Sequence, residues 1–366
     1  MESRVELQDD GTPMGTEPVL GTRIEEKMLK IFTDHNYLTP EHRRNIFPLL
    51  FDLFYKPNQN VIDRYQIVAT LQEADIAIVP VGISYYFKVG KSAELYKFID
   101  TAVAKGKKVW LYSDGDFGIT ISKDVYTFRL GGFDSKLDDN TFILPSFIQD
   151  PYKTLQSDFF AIPKSSLPQI GFVGNADGSW LKFLKELIIY AKQTAQRVLH
   201  IRRDDHQGFF PSSIVRYRLL SKLAKEKQIK TDFILRKKYR AGAITTQDRK
   251  RTELEFLQNI ANNPYTLCVR GSGNFSVRFF ETIAMGRIPL LIATDNRLPL
   301  SGKIDWNKHC VIATESDYIA KLVQFHGAIT AGNFELMQKN NRELWSDWLT
   351  REAYFLTFAD YFTDLK

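Results

Sequence analysis

Short unbroken apolar runs alternate with amphipathic stretches along most of this chain, and that alternation narrows its possible folds more than any other feature. In the first part, strands are expected at 30–33, 76–81, 108–112 and 141–144, with a helix over 91–104 closed by Lys105-Gly106. Ile76-Ala-Ile-Val-Pro-Val and Val109-Trp-Leu-Tyr have the pattern of strands covered on both faces, as in a parallel sheet flanked by helices. After residue 168 the alternation restarts. Strands are expected at 170–174, 198–202, 232–235, 265–269, 288–293 and 310–313, and helices at 179–194, 214–225, 249–261 and 275–285.

Between these parts, Pro145, Pro151, Pro163 and Pro168 stand among polar residues, which marks a linker. The expected layout is a flexible lead (1–22), a first Rossmann-like domain (23–150), the linker (151–168), a second Rossmann-like domain (169–330) and a helical tail (331–366). The tail carries Trp345, Trp348, Phe355 and Phe358 on or near one stripe, so it is expected to pack across both domains. Two α/β domains joined this way face each other across a cleft, a common place for small ligands.

At 366 residues the chain has length for two domains, and a net charge of +6 favours a phosphate-bearing ligand without requiring nucleic acid. Cys268 and Cys310 lie in or at the edge of apolar runs and read as buried free thiols. No stretch reaches the ~18 apolar residues of a spanning helix. The amino terminus carries acidic residues and no apolar core of a signal peptide, so a cytoplasmic protein is expected.

The chemistry concentrates between Tyr265 and Ile292. A strand ending at Val269 is followed by a loop holding Gly271 and Gly273, then by a helix that Asn274 or Ser276 can cap. Glycines let a ligand approach the backbone, and the free N–H groups of the helix start suit a diphosphate. Arg270 and Arg278 lie within a turn of that start, where guanidinium forks meet phosphate oxygens. Glu281, three residues after Arg278, can accept hydrogen bonds from paired ribose hydroxyls. The same residues also read as an ordinary strand-loop-helix with a solvated Arg278–Glu281 pair.

Arg270-Gly271, Ser276-x-Arg278, Glu281, Gly286-Arg-Ile-Pro289 and Ile304-Asp305-Trp306 resemble the carboxy-terminal signature of exostosin-like glycosyltransferases. Fainter likeness lies in Ala74–Pro80, Asp116-Phe-Gly118, Phe142–Pro145 and Gly171-Phe-Val-Gly174. The resemblance implies the GT-B architecture of two Rossmann-like domains and a donor that is usually a uridine diphosphate (UDP) sugar. Arg270, Gly271, Ser276 and Arg278 would then meet the diphosphate, and Glu281 the ribose. Many retaining GT-B enzymes carry a second glutamate eight residues before the helix glutamate. Here that position is Gly273, which leans towards inversion.

An inverting transfer needs a base for the acceptor hydroxyl and positive groups for the departing diphosphate. Asp116 and Asp34 are the candidates for the base, with Asp114 and His35 beside them, although each also reads as a turn residue or cap. Arg203 and Arg236 follow strands and can reach donor phosphates, and Lys237–Arg240 extends the positive charge. Asp295 follows another strand and either meets donor hydroxyls or caps a turn. With these cations no metal site and no cofactor are required. The expected partners are a nucleotide sugar and a saccharide or glycolipid acceptor, with peripheral contact at the inner face of the membrane and no nucleic acid. The competing reading is a non-catalytic nucleotide- or sugar-binding α/β protein.

Overall fold

The computed structural model describes residues 28–236 and 245–364. The expected lead (1–22) and the Lys237–Arg240 cluster lie outside the described residues.

The first half forms a six-stranded sheet from β1 (Leu29–Thr33), β2 (Tyr65–Ile67), β3 (Ile76–Ile78), β4 (Lys108–Ser113), β5 (Tyr126–Arg129) and β6 (Thr141–Ile143). Its order is β2-β1-β3-β4-β5-β6, and every neighbouring pair is parallel. A second sheet holds β7 (Gln169–Asn175), β8 (Lys230–Arg236), β9 (Tyr265–Cys268), β10 (Ile288–Ile292) and β11 (Val311–Ala313). Its order is β11-β10-β9-β7-β8, again entirely parallel. β3, β9 and β10 are buried at every position, as their unbroken apolar runs require.

Numbering the helices of at least two full turns, α1 (Ser92–Ala104) crosses over in the first half. In the second half lie α2 (Trp180–Val198), α3 (Ser212–Leu223), α4 (Thr246–Asn262), α5 (Val277–Ala284) and α6 (Tyr318–Ala328). Two helices close the chain, α7 (Ala331–Leu344) and α8 (Arg351–Asp364), joined by a wide helical turn over Trp345–Leu349. No described helix is long and apolar enough to cross a membrane.

The tail spans the molecule. Phe334 and Met337 on α7 enter the core of the second sheet, while Tyr354, Phe355, Phe358 and Phe362 on α8 enter that of the first. Trp110 on β4 is fully buried, with its ring 4.7 Å from Phe362 and 5.1 Å from Phe128. The architecture is therefore α/β, with two Rossmann-like units and a crossing helical tail, as the GT-B resemblance implies.

The expected strand at 198–202 is absent. The α2 helix runs to Val198, and His200 adopts a left-handed conformation (φ 55°) that turns the chain. Val198, Leu199 and Ile201 are exposed, so this apolar run gains no sheet partner. β2 and β5 escape the sequence reading because polar residues interrupt their apolar runs, Tyr65-Gln-Ile and Tyr126-Thr-Phe-Arg.

Truncating Phe358, which packs on Trp110, Phe128, Phe142 and Tyr354, opens a cavity in the first core. Phe358→Ala is expected to cost about 3–5 kcal/mol in a denaturant titration. A loss below about 1 kcal/mol would mean that α8 does not hold that sheet together.

Candidate functional site

In both sheets the first strand sits between the second and third. The loops leaving β7 and β9 therefore turn in opposite directions, and the crevice between them is where open α/β sheets bind ligands. A cavity of about 640 Å³ occupies that place. Asn175 at the end of β7 and Gly271 and Ser272 after β9 form its floor, with Ser212 and Arg216 of α3 beside them. One wall is the polar side of α2, including Lys182, Lys185, Glu186, Gln193 and Arg197, and Phe117 reaches in from the first half.

Three guanidinium groups around this crevice are withdrawn from water. Arg270 is buried, donates to Gln207 Oε1 (2.5 Å) and the Ser272 carbonyl (2.9 Å), and lies 4.7 Å from the Phe210 ring centre. Arg278 donates to the Val173 carbonyl (2.6 Å) and lies 3.9 Å from the Phe172 ring centre. Arg216 donates to the Asn175 carbonyl (3.1 Å). Burial lowers the pKa of all three, taking Arg270 and Arg216 to about 10. Among the described residues no carboxylate forms an ion pair with any of them, and Nε of Arg270 and of Arg278 finds no hydrogen-bond partner. Glu281 offsets the charge of Arg278 and Glu186 that of Arg216 only in part, so an anion entering the crevice would relieve the remaining cost of desolvation.

Glu281 faces the same environment with the opposite sign. Burial raises its pKa to about 7, with Glu253 adding to the rise and the Arg278 charge opposing it. The solvated Arg278–Glu281 pair is therefore not what forms, since both groups are drawn into the protein.

The other expected site residues are distributed unevenly. Gly271 lines the cavity, and Ser276 takes the N-cap position of α5 without a capping side-chain bond. Arg236 ends β8 close enough to Arg278 to repel it, and is bound to Glu255 and the Thr252 carbonyl. Arg203 is exposed on the loop after α2 and does not line the cavity. Asp116 is exposed on the loop after β4. Asp34 follows β1, where its carboxylate accepts from the Asn36 amide (3.0 Å) as a turn cap. Asp114 caps the short helix 83–88 through the Ser84 amide and hydroxyl.

A seam beside the crevice joins the halves. Asn274 donates to the carbonyls of Gly132 (2.9 Å), Thr294 (2.9 Å) and Asp295 (3.0 Å). Asp295, left-handed at φ 55°, accepts from the Ser135 hydroxyl (2.6 Å), so it joins the halves. Arg129 and Asp205 form an ion pair across the same gap (2.9 Å). A Cβ on Gly273 would lie 2.0 Å from the Asp116 carbonyl oxygen, so the approach of the first half requires glycine there.

Other polar groups of the second half are internal. Arg287, between Gly286 and Pro289 of the resembled pattern, is fully buried and donates to the Ala261 (2.7 Å) and Phe160 (2.9 Å) carbonyls. Asp305 caps the turn that sets Trp306 against Phe279, with ring centres 5.2 Å apart. A second cavity of about 540 Å³ adjoins this turn, but its Arg297 is committed to Asp134 and to the carbonyls of Leu137, Asp138 and Thr141. Among the described residues no cluster of His, Cys, Asp or Glu could hold a metal ion.

Sequence reasoning missed Arg216, Lys182 and Gln207. Arg216 and Lys182 read as ordinary polar helix positions, and only the fold turns them towards the crevice.

The geometry coincides with a family match. Residues 204–325 match the Exostosin GT47 domain, so the resemblance to exostosin-like glycosyltransferases holds over this segment. The chain is 35% identical over 66 residues to the Exostosin-1 homolog of Caenorhabditis elegans, covering 18% of this chain and 17% of that protein. It is 30% identical over 146 residues to a probable glucuronosyltransferase of Oryza sativa subsp. japonica, covering 40% and 29%. A probable glucuronoxylan glucuronosyltransferase of Arabidopsis thaliana is 29% identical over 85 residues, covering 23% and 19%. The chain thus spans less than a third of each of these relatives. Among solved structures, a glycosyltransferase from Rickettsia africae ESF-5 aligns over 92% of this chain and 99% of its own, at 10% identity and a TM-score of 0.38. At that score the alignment carries no weight. The family match does not favour the non-catalytic reading.

Because the folded-state pKa of Glu281 lies near 7 and its ordinary value is 4.5, the folded protein binds the extra proton between these values. Stability from this group is full below about 4.5 and is lost as pH rises through about 7. Wild type is expected to lose on the order of 3 kcal/mol more than Glu281→Gln between pH 4.5 and 8. Parallel stability curves from denaturation at several pH values would refute the burial of this charge.

Proposed function

We propose that this chain is a glycosyltransferase that takes a hexosyl or pentosyl group from a uridine diphosphate sugar. The observation that carries the reading is the trio at the crevice of the second sheet, Arg270 buried and Arg278 and Arg216 half-buried, each desolvated and none held in a salt bridge among the described residues. Arg270, Arg278 and the Gly271 loop hold the diphosphate, with Ser276 at the start of α5 and with Arg236 behind them. Arg203, on its exposed loop, would reach the phosphates only through movement of that loop. Glu281 accepts hydrogen bonds from the ribose, and these favour its ionised form. The buried guanidiniums receive the charge of the departing diphosphate, so neither a metal nor another cofactor is needed.

The acceptor is a saccharide or lipid-linked saccharide entering from the first half. Asp116 is the better placed of the two candidate bases, since Asp34 is occupied by its turn. The transfer inverts the anomeric carbon, because Gly273 leaves no room for a second glutamate beside the donor. The product belongs to surface polysaccharide or glycan synthesis, made in the cytoplasm at the inner face of the membrane.

Uridine diphosphate should raise the melting temperature of the protein, and Arg270→Ala should weaken its binding about tenfold or more. Asp116→Asn should reduce sugar transfer on the order of 100-fold or more while leaving that binding unchanged. If no nucleotide or sugar nucleotide shifts the melting temperature, the reading fails. Normal transfer by Asp116→Asn would remove only the assignment of the base.

A further inference from the structure

The α2 helix is mounted inside out. Its polar side, with Lys182, Glu186, Gln193 and Arg197, faces the crevice, and none of its residues is fully buried. At 100° per residue, Trp180, Leu181, Leu184, Leu187, Ile188 and Val198 fall within one arc of ~120° on the opposite side. That arc faces outward, with Leu181 78%, Val198 73%, Trp180 67% and Ile188 66% exposed. Leu199 and Ile201 prolong it past the helix end. The stripe is ~28 Å long at 1.5 Å per residue, far more continuous than scattered surface leucines.

We infer that this face lies on an anionic lipid surface, with α2 parallel to the membrane plane. The charges around the stripe select that partner. Lys192 borders it and is exposed, the exposed Lys185 stands on the rim between stripe and crevice, and Arg203 is exposed just beyond Ile201. The acidic groups of the same segment are engaged elsewhere. Glu186 pairs with Lys182 (3.4 Å), Asp204 with Arg197 (3.1 Å) and Arg202, and Asp205 with Arg129 (2.9 Å). Asp177 accepts from the Ser179 amide (2.9 Å). The outward surface therefore combines an apolar stripe, a terminal tryptophan and basic margins whose long stems can reach up to headgroups. A protein groove would cover the stripe as well, but the one-signed margin matches negatively charged lipid.

The crevice lies directly behind this helix. If the glycosyltransferase reading holds, on which this consequence rests, the acceptor reaches the site from the bilayer, which specifies a lipid-linked saccharide. The docking surface itself does not depend on that reading.

The test is sedimentation of the purified full chain with phosphatidylglycerol-containing vesicles and with pure phosphatidylcholine vesicles. Wild type should partition strongly to the anionic vesicles and weakly to the neutral ones. The double variant Leu181→Glu, Ile188→Glu changes two exposed positions and should lower that partition about tenfold or more, with its melting temperature retained. Absence of binding by wild type, or equal binding by the variant, overturns the inference. So does a wild-type dimer that the variant dissolves while neither binds vesicles. Vesicle binding without any melting shift from uridine diphosphate would sustain the docking surface and remove the enzymatic reading.

Discussion

The two halves are held close by a small set of backbone-directed hydrogen bonds, and these bring the first half to the rim of the crevice. Asn274 alone reaches carbonyls on both sides of the seam. Its neighbours obey the same constraint. Gly273 is small because the Asp116 carbonyl passes beside it, and Asp295 accepts a left-handed conformation to reach Ser135. The tail adds a second tie, since α7 and α8 commit their aromatic residues to different cores. Together these contacts bring Phe117 of the first half into a cavity otherwise built by the second.

Within that enclosure, charge follows topology. The parallel order of the second sheet directs the ends of β7 and β9 to one place, and the helices that follow bring Arg216 and Arg278 there. Backbone carbonyls and aromatic faces satisfy part of each guanidinium but supply no full negative charge. The result is a positive site held ready for an anion, with one carboxylate, Glu281, kept near its own titration point by the same desolvation.

Much of this was readable beforehand, and the failures have physical causes. The buried strands β3, β9 and β10 declare themselves because a strand covered on both faces must be apolar throughout. The Gly271 loop and the start of α5 were visible through turn and helix-start chemistry. β2 is as short as β3 but offers no unbroken apolar run, since Gln66 stands between Tyr65 and Ile67. Val198 to Ile201 misled because an apolar run announces burial, and here the run is exposed. Arg216 could not be found at all, since a helical position does not reveal which way it will face. Asp34 reads more readily as a cap than as a base, and the bond it accepts from the Asn36 amide is that of a cap.

Gly286 and Trp306 carry a consequence for reading chains that share this pattern. Both belong to the resembled pattern, yet Gly286 turns the chain in a left-handed conformation (φ 64°) after α5 and Trp306 packs beneath that helix. Such residues serve the shape of the second half, whatever passes through it. A descendant could lose every group that touches a donor and still display the signature, so the pattern vouches for a vessel rather than for its contents.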